Sequence, residues 1–222
     1  MKKYILIFAV ILSFTCPYFA QNRIGVNAGY GYYAGNSENS APITDGHKFR
    51  SHILYGLTLQ KEDLFGLNLM LDYSYHQITK DNVFNVTTYP DGEHQGPTIG
   101  GDVKLVSHNF DLAYVGAISR YLSYGAGPSF VIVNRIFELD APVTTGSSQA
   151  SLDDKLASSH LGVNGFLMFT MPLGEGSGFF VSSKLKLRYS HSIWFDEGPR
   201  DLRDYYQSFT TTQLTLGVGY SF

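Results

Sequence analysis

From residue 213 to the end of the chain, two kinds of side chain alternate without a break. Leu214, Leu216, Val218, Tyr220 and Phe222 fall on one face of an extended chain, and Gln213, Thr215, Gly217, Gly219 and Ser221 on the other. A period of two is the mark of a β-strand, because successive side chains of a pleated ribbon point to opposite sides. The same period dominates from Ile24 onward. Near 179–195 it sets Phe179, Val181, Leu185, Leu187, Tyr189, Ile193 and Phe195 against a face that carries Lys184, Lys186 and Arg188. Aromatic residues at 15% of the chain and 23 glycines suit strands and turns rather than helices.

Eight such segments are predicted, near 24–35, 47–61, 66–80, 104–119, 122–138, 155–173, 178–195 and 205–222. An even number matches the barrels of bacterial membranes. The connections alternate between short ones at 63–65, 120–121 and 174–177 and long ones at 36–46, 81–103, 139–154 and 196–204. Outer-membrane barrels have short periplasmic turns and long external loops in this way. No segment beyond the first 20 residues approaches the ~20 apolar residues of a membrane helix, so any crossing of a bilayer must use strands. The predicted fold is all-β, an eight-stranded antiparallel up-and-down transmembrane β-barrel. The competing fold is a soluble sandwich or lipocalin-like barrel, which would turn the apolar face inward.

The start of the chain reads as a secretory signal. Met1, Lys2 and Lys3 precede an apolar run over 4–14 and a short stretch ending at Ala20. This divides the chain into a signal peptide at 1–20 and a barrel domain at 21–222. Cleavage after Ala20 removes Cys16, the single cysteine, and with it any disulfide or thiolate metal site. The rival reading makes Cys16 the acylated first residue of a lipoprotein, which the preceding Phe14 and Thr15 fit poorly. Loss of Lys2 and Lys3 leaves 14 basic against 19 acidic residues, a formal charge of −5, and that balance argues against nucleic acid as a partner.

The chain resembles the small outer-membrane barrels of the OmpA/OmpX type, including barrels of this size in Bacteroidetes-like bacteria. The resemblance covers the whole mature chain as architecture, and its most specific mark is Leu216, Val218, Tyr220 and terminal Phe222. It implies a Gram-negative outer membrane with the loops outside, contact with lipid and lipopolysaccharide, and recognition of Phe222 by the barrel-assembly machinery. No peptidoglycan-binding domain follows Phe222, so no cell-wall anchor is expected.

With the apolar face toward lipid, the inward residues include Arg50, His52, Asp72, His76, Asn109, Asp111, Arg135, His160, Asn164, Lys184, Lys186 and Arg188. An eight-stranded barrel is only wide enough for side chains to fill it, so these groups must satisfy one another or trapped water. Counting from the short turns sets Asp72, Asp111, Lys184, Lys186 and Arg188 at similar mid-barrel height. An ionic network is expected there, read as a structural plug rather than an ion or proton path. His52 and His76 are expected directly opposite each other across the turn near Leu64, with His160 nearby. Such a group invites a metal or proton site, but hydrogen-bonded lumen histidines are the plainer reading, and neither metal nor cofactor is assigned.

Catalysis finds little support. His191 and Ser192 lie next to each other and so point to opposite faces, and no His-Glu-x-x-His or phosphate-binding loop is present. A His160–Ser192 pair across adjacent strands is the remaining candidate, but serine is abundant and a triad also needs an orienting acid and an oxyanion hole. Thirteen of the 19 acidic residues fall in the four long connections, among them Glu38, Asp81, Asp102, Asp154 and Asp204. That predicts an acidic external crown, with Tyr89, Tyr205 and Tyr206 as contact anchors for an extracellular protein partner. The function expected is a non-enzymatic outer-membrane barrel with a filled lumen, serving envelope integrity or surface interaction. The alternatives are a lipid A-modifying enzyme and an accessory subunit of a secretion or uptake complex.

Overall fold

The computed structural model describes residues 22–34, 51–87, 98–139, 143–145, 148–150, 154–174, 176–195 and 208–222. The predicted signal peptide, Arg50, Tyr89, Tyr205, Tyr206 and most acidic residues of the long connections lie outside the described residues.

Among the described residues ten strands follow one another: β1 (Asn22–Ala34), β2 (Ser51–Leu64), β3 (Leu67–Thr87), β4 (Thr98–Ala117), β5 (Leu122–Leu139), β6 (Val143–Thr145), β7 (Ser148–Ala150), β8 (Asp154–Pro172), β9 (Phe179–Phe195) and β10 (Ser208–Ser221). Eight of them close a barrel in the order β1-β10-β9-β8-β5-β4-β3-β2, each antiparallel to its neighbours, while β6 and β7 form a separate small hairpin. The seam runs from Arg23↔Ser221 to Ala34↔Thr210 and ends in two hydrogen bonds of 2.9 Å between the backbones of Asn22 and Phe222. Closure leaves none of the eight barrel strands as an edge with unpaired backbone groups, which a strand in lipid requires.

The barrel is inverted relative to a soluble protein. Among the described residues 22 buried positions are polar or charged and 11 are apolar, while Val26, Ile53, Tyr55, Val163, Leu187 and Leu216 are more than half exposed on the outside. A lipocalin-like barrel buries apolar side chains and shows polar ones to water, so the soluble alternative fails. Alternation set by the sequence decides this, since one residue of slippage would exchange the two faces.

Several connections differ from expectation. The β2–β3 turn is the two-residue Phe65–Gly66, with φ of 57° and 79°, preceded by a bulge at Asp63 with φ 57°. Two central residues with positive φ give the turn a twist that matches its flanking strands. The connection predicted over 81–103 is largely strand: after a bulge between Lys80 and Phe84, β3 and β4 stay paired to Thr87↔Thr98. Asp81, Asp102 and Asp154 accordingly sit in strands, not loops. At 21 and 20 residues β3 and β4 far exceed the ~9–11 needed to cross a bilayer, so this hairpin stands well clear of the membrane. The connection 139–154 contains the β6–β7 hairpin.

Candidate functional site

The densest chemistry lies at mid-height in the lumen. Alternation on β9 turns Lys184, Lys186 and Arg188 inward, and register places Asp72 of β3 directly opposite Asp111 of β4. All five side chains are 4% exposed or less. Lys184 Nζ lies 2.7 Å from Asp72 Oδ1, and Lys186 Nζ contacts both Asp72 Oδ2 and, at 2.7 Å, Asp111 Oδ2. Arg188 grips Asp111 with two donors, Nε to Oδ1 at 2.9 Å and Nη2 to Oδ2 at 2.5 Å. Hydroxyls complete the carboxylates: Thr58 donates to Asp72 at 2.6 Å and Ser129 to Asp111 at 2.5 Å. Buried charges hold together only when paired and hydrogen-bonded in this way.

Position around the ring gives this cluster its reach. Three strands separate β9 from β3 in either direction, so the Lys184–Asp72 contact runs across the full width of the barrel.

His52 and His76 meet, but not as the register reading supposed. His76 is opposite Leu54, and His52 pairs across β1 with Gly31. The reason is the turn: its centre lies one residue beyond Leu64, which shifts the partner by two. The rings still reach each other diagonally and stack at 3.8 Å, 23° from parallel. Tyr33, which the sequence reading overlooked, closes the group by a 2.6 Å hydrogen bond between its hydroxyl and His76 Nε2. Parallel rings aim their nitrogen lone pairs side by side rather than at one point, a poor arrangement for a shared metal.

His160 stands apart, edge-on to Phe209 at 4.9 Å and bonded through Nε2 to Ser158 Oγ at 2.9 Å. Ser192 is its register partner on β9, yet Ser192 Oγ has no hydrogen-bond partner among the described residues, so the suggested His160–Ser192 pair is not formed. Asn109 bonds Ser74, and Asn164 bonds the carbonyls of Gly127 and Pro128. On the outside His108 takes part in a 2.9 Å hydrogen bond with the Tyr73 hydroxyl.

Two apolar clusters fill the lumen beyond the polar groups: Met70, Ala113, Val115, Phe166 and Met168 toward the short turns, and Ile78, Leu105, Val131 and Val133 toward the long connections. The polar residues named for the inward face do not anticipate them. Their signal was the loss of alternation in the runs 69–71, 130–133 and 166–169, where both faces are apolar.

An apolar exterior around a charged, filled interior defines an integral-membrane β-barrel, the architecture of small outer-membrane barrels. No family model and no curated protein matches the sequence. Among solved structures the chain is similar to a major outer membrane protein from Thermus thermophilus, at 16% identity and TM-score 0.49 over 90% of this chain and 99% of that one. It is similar also to Neisserial surface protein A, at 12% and 0.45 over 90% and 97%. A third is Ail, the attachment invasion locus protein of Yersinia pestis, in complex with the heparin analogue sucrose octasulfate, at 16% and 0.45 over 91% and 99%. At such identities the likeness is one of general architecture.

Proposed function

We propose that the chain is an integral protein of a Gram-negative outer membrane, its long connections outward, that serves envelope integrity or surface interaction without opening a wide pore or catalysing a reaction. The observation that carries this reading is the charge network joining β9 to β3 and β4 across the lumen. Apolar clusters above and below it add to the obstruction. A plugged lumen leaves the exterior and the outer connections as the working surfaces.

The apolar band meets lipid, and the acidic connections meet lipopolysaccharide through divalent cations or an extracellular protein; rigid scaffolds commonly carry function on such loops. Phe222, 56% exposed and stacked on Tyr220, is the point of contact for the assembly machinery. Reconstitution in planar bilayers tests the reading. The expected result is the absence of conductance steps of porin size, and a steady current of that size would overturn it.

A further inference from the structure

The buried network does not balance among the described residues. Lys184, Lys186 and Arg188 bring three positive charges, and Asp72 and Asp111 bring two negative ones. One positive charge is therefore left over in a region shielded from bulk water, where an uncompensated ion is strongly disfavoured.

Beside the network, on the short-turn side, is a cavity of about 20 Å³. Lys184, Arg23, Thr58 and Thr170 line it together with the apolar Val26, Met168 and Phe180, and none of its described lining residues is a carboxylate. Lys184 has three N–H donors. Asp72 Oδ1 at 2.7 Å and Thr58 Oγ1 at 3.3 Å take two of them, which leaves one for the cavity. Arg23 is tied to Glu62 at 3.2 Å through Nη2, but its Nε is buried without a hydrogen-bond partner among the described residues, and so is Thr170 Oγ1.

We propose that this cavity is a binding site for a small monovalent anion of the halide class. Excess charge, idle donors and a space lined without carboxylates converge on the same place. A water molecule would satisfy the donors but leave the charge, whereas a compact spherical anion supplies both a countercharge and an acceptor for every idle donor. Such a site does not depend on whether the lumen conducts.

The test uses the purified barrel in detergent micelles, with chloride or bromide replacing gluconate at constant ionic strength. A saturable rise in the thermal unfolding midpoint is expected with each halide, because a ligand that binds only the folded state stabilises it. Arg23→Gln and Thr170→Val leave the five charged residues in place, and each is expected to weaken the apparent halide affinity about tenfold. Crystals soaked in bromide should show an anomalous peak between Lys184 Nζ and Arg23 Nε. A midpoint indifferent to halide in the parent would overturn the assignment. So would a response unchanged in both variants, or bromide found only on the outer surface as an adventitious ion.

Discussion

Asp72 and Asp111 face each other directly on neighbouring strands, two carboxylates in register at the centre of the barrel. Like charges so placed repel, and Lys186 is the group that contacts both. Lys186→Met leaves each carboxylate one cation, Lys184 on Asp72 and Arg188 on Asp111, but nothing between them, and should cost about 1–3 kcal/mol. Urea unfolding in micelles is the measurement. Adding Asp111→Asn to that variant removes the repulsion but takes the carboxylate from Arg188, so the double variant should lose less than the sum of the two single losses, whereas two independent, additive losses would show that the carboxylates do not oppose each other.

Gly31 leaves room for a ring. A Cβ built at Gly31 would stand 2.1 Å from His52 Nε2 and 2.7 Å from its Cε1. Gly31→Ala should destabilise the barrel by about 1–3 kcal/mol through overpacking. Since the obstacle is a side chain, Gly31→Ala combined with His52→Ala should unfold close to His52→Ala alone. A double variant as damaged as the sum of its parts would place the clash elsewhere.

Leu185 points outward between Lys184 and Lys186 and is 46% exposed. Arginine there should cost about 2–4 kcal/mol in a bilayer, the range for a cation on the lipid face near the midplane. The readout is the folded fraction on a heat-modifiable gel after refolding into vesicles of matched lipid. Full tolerance of Leu185→Arg would contradict a lipid-facing band.

Much of this molecule was legible in its sequence. Strand type, the number of barrel strands and the inside and outside of β9 all follow from a period of two, and the closed structure adheres to it. Legibility ended at the turns. Nothing in the alternation reveals whether the β2–β3 hairpin is centred on Leu64 or one residue later, and that single step decides whether His76 faces His52 or Leu54. Contacts across the lumen, such as Tyr33 with His76, depend on barrel closure and stagger, which a local pattern does not encode. The extension of β3 and β4 was hidden by the turn-like residues of 81–103, where hairpin pairing overrides weak local preference.

The connectivity of the ionic network has a consequence for the order of assembly. Asp72 and Lys184 are 112 residues apart, and Asp111 and Lys186 are 75 apart. The two aspartates come together as soon as β3 and β4 pair, but all three of their cations arrive on β9, the last strand but one. Until then the nascent sheet carries two facing carboxylates that need water. The lumen can dry only once β9 is in place, so a partly built barrel has little tendency to settle into a stable, prematurely sealed form.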